Sequence, residues 1–390
     1  MINFLREAEE LFDYTRDLRR DFHRHPELGF QEVRTAGIVA RELTELGLEV
    51  STGVGKTGVV ATLEGGRPGP VVLVRFDMDA LPIQEETGAE YASQTPGVMH
   101  ACGHDGHTAS GLAVARILDA HKSELGGMVK FVFQPAEEGL GGAEAMVADG
   151  VLDNPKPDLS LSLHLWNEKP VGWIGVTPGP AMSASDRFTV KLIGRGGHGA
   201  APHLTIDPVV AGAQVISAIQ TIVARNVPPL KSAVVTVTSM TGGEAFNVIP
   251  EVVELKGTIR SFDPQVRELV LRRFDQIVTG VAQALGCQAE VEIWKVTPAV
   301  VNDPEMASQV QSVVARVLPE ATIDTNERTM GSEDMAYMMD DVPGCYFFVG
   351  SADQERGLDA PHHHPRFDFD EAALPRAIAL MAASVVDFMD

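Results

Sequence analysis

Cysteine is scarce: Cys102, Cys287 and Cys345 are the only three in a chain of 390 residues, and they lie far apart. Three scattered thiols exclude a disulfide framework and fit a reducing compartment. Positive charge is short as well. Only 31 Lys and Arg stand against 54 Asp and Glu, for a formal net charge of −23. Such a balance argues against nucleic acid or an anionic membrane as partner, since both repel an acidic surface. It leaves room for a local basic pocket that takes a small substrate. No uninterrupted apolar run approaches membrane-spanning length. The first ten residues carry Arg6, Glu7, Glu9 and Glu10 where a signal peptide would have an apolar core. Internal repeats and low-complexity tracts are also lacking. What remains is an ordinary globular composition, 44% hydrophobic and 22% charged, long enough for two or three domains. A cytoplasmic protein is the expectation.

The densest chemistry lies in Val98–Thr108, where His100, Cys102, His104, Asp105 and His107 share one short stretch. In an extended or tight-loop backbone, residues two apart project to the same side, so Cys102 and His104 can grip one site. A thiolate and a neutral imidazole suit zinc and its first-row neighbours. Gly103 and Gly106 allow backbone angles that bring such groups close. A lone Cys or His would read as core packing; this density on one loop reverses that. The apolar run Thr108–Leu118 predicts a helix, so the loop sits at a helix N-terminus, where a thiolate is stabilised.

Taken in order, the chain opens with helical spacing from Leu5 to Phe22, stopped by Pro26, and a second helix over Thr35–Leu46. Strands follow at Val59–Leu63 and Val71–Phe76, parted by Gly65-Gly66 and Pro68-Gly69-Pro70. The second ends in Asp77-Met78-Asp79-Ala80-Leu81-Pro82, and strand ends are where α/β sheets place chemistry. A strand over Met128–Gln134 ends in Pro135-Ala136-Glu137-Glu138-Gly139. Adjacent carboxylates on an extended backbone point apart, so one can hold a metal while the other faces water. A solvated acidic turn is the competing reading. The alternating strand Asp158–Trp166 puts His164 on its polar face, near its end.

From Ser185 the pattern changes. Strands at Arg187–Ile193, Ala233–Met240, Val252–Ser261 and Glu290–Trp294 alternate with helices at Val209–Ala224 and Leu269–Leu285. This β-α-β-β-α-β order is that of a ferredoxin-like unit. After Pro298 an α/β pattern resumes, with a helix from Pro304, a strand Cys345–Gly350 and a helix from Glu371, so the unit is an insertion. The expected division is a catalytic α/β domain over 1–183 and 297–390 and an inserted domain over 184–296. Gly331-Ser332-Glu333-Asp334 predicts a helix start capped by Ser332. His362-His363-His364 reads either as a surface tract or as a distant ligand for the Cys102 loop.

Together these segments resemble the amidohydrolase branch of the aminoacylase/carboxypeptidase metallopeptidase superfamily, which includes hippurate hydrolases, N-acyl-amino-acid amidohydrolases and auxin-conjugate hydrolases. The matching stretches are FHRHPELGFQE (22–32), DMDALPI (77–83), MHACGHDGHTA (99–109), FQPAEEG (133–139) and LHLW (163–166). They continue with GGHGAAPH (196–203), NVIP (247–250), GTIRSFD (257–263), GSEDM (331–335) and HHPRFDFDE (363–371). No single piece is specific, but their order and number are. The resemblance implies a phosphorylase/hydrolase-like catalytic α/β domain with an inserted ferredoxin-like lid and dimerisation domain.

The resemblance further implies two divalent metal ions, of manganese, zinc, cobalt or nickel, held by Cys102, His104, Glu138, His164 and His363. Cys102 would bridge them. Elsewhere in the superfamily a His-x-Asp motif supplies a ligand and an aspartate bridges. Here Asp77-Met78-Asp79 fills that stretch, so Asp79 is expected to orient a histidine. The family's His-x-Pro spacing selects His363 from the three histidines. Glu137 would be the general base and acid, taking a proton from the attacking water and returning it to the leaving amine. His198 would stabilise the developing oxyanion, and Asn247 and Arg260 would grip the substrate carboxylate. Asp105 and His107 read as supporting residues, and His23, His25 and His203 as structural. An ordinary ion pair is the rival reading of Arg260. The expected activity is hydrolysis of N-acyl amino acids, hippurate-like, by a cytoplasmic homodimer or dimer of dimers. A dipeptidase or an N-carbamoyl-amino-acid hydrolase would share the scaffold. A metal-binding regulatory protein on the same fold is the alternative outside enzymes, and the adjacent Glu137 and Glu138 speak against it.

Overall fold

The structure, a computed structural model, describes residues 2–390. It divides into two compact units: Met1–Ala181 with Val300–Arg328 and Asp334–Asp390, and Met182–Ala299 with Thr329–Glu333.

The first unit is built on an eight-stranded mixed sheet. Its strands include Glu49–Val54 (β1), Gly58–Glu64 (β2), Arg67–Asp77 (β3), Gly126–Gln134 (β4) and Leu159–Pro170 (β5). The order is β1-β2-β4-β3-β5, followed by Gly344–Ala352, Trp173–Gly175 and Thr322–Asp324. β4, β3, β5 and Gly344–Ala352 run parallel. Their centres are buried throughout, which explains their near-continuous apolar sequence, because a parallel sheet is covered on both faces. The registers Asp77↔Gln134 and Arg75↔Ser162 bring the carboxyl ends of β3, β4 and β5 level at one edge. That is why the Asp77, Glu137 and His164 stretches, distant in sequence, meet there.

The opening helical segment is two helices, Phe4–Glu10 (α1) and Phe12–Arg24 (α2), separated at Leu11, where apolar spacing alone predicts one. Val33–Glu45 (α3) follows. The helix after the cysteine loop, His104–Ala120 (α4), starts four residues before Thr108. Gly103, at φ +90°, provides the left-handed turn that lets it begin there. His104, Asp105 and His107 therefore sit in a helical turn, and nearly every residue of α4 is buried. Ser332 is a correction: no helix starts there. The next helix is Ala336–Met339 with no side-chain cap, and Ser332 Oγ instead accepts a 2.8 Å hydrogen bond from Arg260 Nη1. β1 and the short strands Trp173–Gly175 and Thr322–Asp324 escaped the sequence reading because three- to six-residue pieces carry too little pattern.

The second unit holds the four strands Ala184–Ile193, Ala233–Thr241, Val252–Ser261 and Gln288–Thr297. They are antiparallel in the order second, third, first, fourth. Helices Pro208–Arg225 and Pro264–Ala284 pack their apolar stripes on it, Ala211, Val215 and Ile219 from one and Val270, Phe274 and Val278 from the other. This is the ferredoxin-like arrangement expected. Asp207 and Asp263 cap the two helices, each accepting from backbone N–H groups of the first turn. Pro208–Arg225 and Glu371–Met389 are long and apolar enough to cross a membrane by length and composition, though polar residues interrupt both, so neither is an uninterrupted apolar run. Burial explains both: the first lays one face on the core of the second unit, and the second is mostly enclosed in the first.

Candidate active site

The site in the first unit forms around Cys102, just before α4. Cys102 Sγ lies 3.5 Å from His164 Nε2. Donor atoms of Cys102, His104 and His164 fall within 4.8 Å of one another, as do those of Cys102, Glu138 and His363. Cys102 is common to both groups. Of the three consecutive histidines, His363 is the one that reaches Glu138, its Nε2 being 3.3 Å from Oε1. His362 turns inward, its Nε2 donating to the Leu165 carbonyl at 3.0 Å, and His364 Nδ1 accepts from Arg366 N–H.

His104 and His164 are each oriented by the nitrogen that does not face the cluster. His104 Nδ1 donates to the Asp79 carbonyl at 2.9 Å and lies 3.2 Å from Asp79 Oδ1. His164 Nδ1 donates to the Leu165 carbonyl at 2.7 Å. Nε2 is thereby the ring nitrogen that each of the two turns towards the cluster. Asp79 also accepts from Glu138 N–H at 3.0 Å, so one carboxylate supports two of the candidate ligands.

Whether a cation fits can be judged from what these groups lack. His104 Nε2 and Glu138 Oε1 are buried without a hydrogen bond, a costly state for polar atoms, although Glu138 Oε1 makes an ion-pair contact with His363. Burial, then the charges of Glu138 and Glu137, push the Cys102 thiol well above its ordinary range. Burial and the neighbouring His107 hold His164 well below its own. For His104, burial opposes protonation, but Asp77 and Asp79 prevail and raise it to about 10. Excess negative charge, a neutral imidazole and orphaned donors are what a divalent cation would satisfy. The residues fit the group.

Asp77 and His107 also lie within 4.8 Å of His104, donor atom to donor atom, but their own atoms are already engaged. Both Asp77 oxygens are taken, Oδ2 by Arg75 Nη1 at 2.6 Å and Oδ1 by His107 Nδ1 at 2.6 Å. His107 Nε2 in turn accepts from Leu165 N–H at 2.9 Å. Asp105 faces another buried network, bonded to Arg19 Nε at 2.9 Å and His23 Nδ1 at 2.8 Å. His100 is fully buried, and burial lowers it to about 4. Sequence reasoning missed Arg75, which also donates to Gln134 Oε1 at 2.8 Å and lies 3.2 Å from Asp334 Oδ1. A guanidinium inside an apolar strand was the available signal, since such a charge is never buried unpaired.

In the second unit His198 lies on a two-residue ribbon, Gly197–His198 against Val248–Ile249, and is exposed. The neighbouring Asn247 is exposed too, and its carbonyl accepts from Gly199 N–H at 2.8 Å. Arg260, half-buried, donates from Nε to Thr258 Oγ1 at 3.0 Å besides its bond to Ser332. No carboxylate pairs with it within ion-pair distance among the described residues.

The sequence profile of Peptidase family M20/M25/M40 matches residues 73–387. The N-acetylcysteine deacetylase of Bacillus subtilis is 40% identical over 371 residues, spanning 95% of each chain. The N-acyl-L-amino acid amidohydrolase of Geobacillus stearothermophilus is 49% identical over 274 residues, 70% of this chain and 73% of its own. Among solved structures, the YXEP protein of Bacillus subtilis, described as a dinuclear metal-binding peptidase of the M20 family, superimposes with a TM-score of 0.85. It is 36% identical, covering 98% of this chain and 99% of that one. The chain belongs to peptidase family M20/M25/M40, and it is a metal-dependent hydrolase.

Proposed function

We propose that the protein is a cytoplasmic amidohydrolase that cleaves N-acyl amino acids to a carboxylic acid and a free amino acid. The observation that carries this reading is the convergence of Cys102, His104, Glu138, His164 and His363 beside the turn that bears Glu137. The relatives' names, which specify N-acyl amino acids, point the same way. The five donors would hold two divalent ions, and Cys102 belongs to both of the donor groups described above. Bound there, the ions would polarise the amide carbonyl and make the attacking water more acidic.

Glu137 takes one proton from that water as its oxygen bonds to the amide carbon. It passes the proton to the amine nitrogen as the C–N bond breaks, leaving a carboxylic acid and a free amine. His198 donates a hydrogen bond to the carbonyl oxygen as charge develops on it. Arg260 and Asn247 hold the carboxylate of the amino-acid half, for which the guanidinium's paired N–H groups are well shaped. A homodimer is part of the reading: strand Ala233–Thr241 is an open sheet edge, and Leu230, Phe246 and Val248 of the same unit are exposed apolar side chains.

The test separates the two glutamates. Glu137→Gln is expected to lose at least ~10² in turnover with metal content unchanged, and Glu138→Gln to lose metal as well. Metal analysis alongside kinetics on N-acetyl amino acids reads both. Equal metal loss in the two variants would remove the division of roles.

A further inference from the structure

The stretch FHRHPELGFQE was part of the resemblance, yet its last residue has no part in the mechanism above. Glu32 is completely buried. Its Oε1 accepts a 2.9 Å hydrogen bond from Ala136 N–H, and its Oε2 accepts from Thr57 Oγ1. Ala136 directly precedes Glu137 and has φ +53°, a left-handed conformation that a non-glycine residue adopts only when its surroundings impose it.

The surroundings do impose it. The chain from Glu27 to Glu32 runs between the two acidic turns of the site. On one side Ala80 N–H donates to the Glu27 carbonyl at 2.8 Å, and Leu28 bridges Ala80. On the other, Gly29 lies so close to Ala136 that a Cβ at Gly29 would meet the Ala136 Cα and Cβ at 3.0 Å. Gly142 N–H donates to the Ala136 carbonyl at 3.1 Å, closing the turn from its far side. Glu138 N–H is held by Asp79 Oδ2 at 3.0 Å. The peptide planes before and after the Ala136–Glu137 pair therefore each end on a buried carboxylate: Glu32 for the first, Asp79 for the second.

We propose that Glu32 is a positioning residue for Glu137: by accepting the Ala136 N–H it holds the left-handed turn that sets the direction of the base. This rests on Glu137 being the base. The chemistry needs an acceptor at Oε1 and not a charge, since a backbone N–H can only donate. Glutamine keeps that acceptor, and Thr57 can reverse its hydroxyl to accept from the new amide. Alanine keeps neither.

The test uses metal-loaded Glu32→Gln, Glu32→Ala, Ala136→Gly and Glu137→Gln, with kcat, KM, metal content and melting temperature measured on an N-acetyl amino acid. Glu32→Gln is expected within ~3-fold of the parent kcat, because the acceptor survives. Glu32→Ala should lose roughly 10- to 100-fold in kcat with KM little changed and metal retained, the scale of a misplaced reacting group. Ala136→Gly adopts the turn without strain, so it should melt no lower than the parent yet lose roughly 3- to 10-fold in kcat as the turn loosens. A parent-like kcat in Glu32→Ala, or a loss in Glu32→Gln as deep as in Glu32→Ala, overturns the proposal. Should Glu32→Ala not fold, Glu32→Leu, which fills similar space with no acceptor for the Ala136 N–H, decides: a parent-like kcat there overturns it equally. An active, metal-loaded Glu137→Gln would bring down the base assignment and this inference together. An inactive Glu137→Gln beside a fully active Glu32→Ala would bring down the inference alone.

Discussion

The two units handle charge in opposite ways. The first buries Arg19, Glu32, Arg75, Asp77, Asp79, His104, Asp105 and His107 almost completely, and links most of them in networks. The second keeps an apolar core of Val, Ile, Leu and Phe; its buried charges are Asp186, answered by Arg267 at 2.7 Å, and Glu333. Its candidate functional residues His198 and Asn247 lie in the open. Burying charge is costly unless every group is paired, so a fold does it where it gains directed lone pairs and fixed tautomers. The first unit is thus a scaffold for reactive groups. The second is an ordinary compact module that presents a few residues on a ribbon.

The comparison breaks first with metal. A chelator should abolish hydrolysis outright and leave the second unit folded, since its core holds none of the donors. A divalent transition ion should restore activity. Cys102→Ser should hold metal less well, because a hydroxyl does not ionise near neutral pH as a metal-bound thiol does. Metal titration reads both, and full activity in thoroughly stripped protein would sink the assignment.

A smaller effect, on stability, compares one buried carboxylate from each unit. Asp105→Asn leaves the fully buried Arg19 and His23 short of a partner and should cost about 3–5 kcal/mol. Asp186→Asn strands a guanidinium that still reaches solvent, and should cost only about 1–3 kcal/mol. Denaturant unfolding checks the difference, and equal costs would erase the contrast. A pH dependence follows as well. Burial opposes ionisation of Asp105, but the Arg19 charge and the His23 hydrogen bond outweigh it and hold the carboxyl far below its usual range. A depressed carboxylate contributes stability that is complete above its unfolded pKa of about 4 and is lost as pH falls below it. The melting temperature of the parent should therefore drop on acidification below about pH 4 more steeply than that of Asp105→Asn.

What could be read in the sequence follows the same division. Strand ends, the cysteine loop and the β-α-β-β-α-β order are local patterns, and they gave the fold class and the candidate donors. The resemblance selected His363 from His362-His363-His364, and the physical reason lies in the structure: His363 takes φ +64° and donates its N–H to the Ala101 carbonyl at 2.7 Å, which turns its ring towards Glu138. Glu32 and Arg75 were invisible as partners because they bond to residues 104 and 59 positions away, and spacing within one element carries no such information. Ser332 went wrong for a related reason. Its local signature matches a cap, but a distant guanidinium claims the hydroxyl.

The smallest expected signal concerns the exposed ribbon. His198 Nδ1 accepts from Ala200 N–H at 3.0 Å and the residue is otherwise open to solvent, so His198→Ala should change stability by no more than about 0.5 kcal/mol. If it nevertheless loses the ~10² or more in turnover expected of an oxyanion donor, the side chain acts in the chemistry and not in the fold. Whether it acts in its own subunit or its partner's can then be read by mixing two inactive variants, Glu137→Ala and His198→Ala. In a dimer that shares His198 across the interface, a mixed pair has one site with an intact base and an intact histidine from the other chain. Random exchange makes half the dimers mixed, so about a quarter of all sites should recover. If each His198 serves its own chain, the mixed pair has no complete site and activity stays at the level of the separate variants. Subunit exchange is followed independently, by mass-tagging one variant, so that silence with exchange proven removes the shared site.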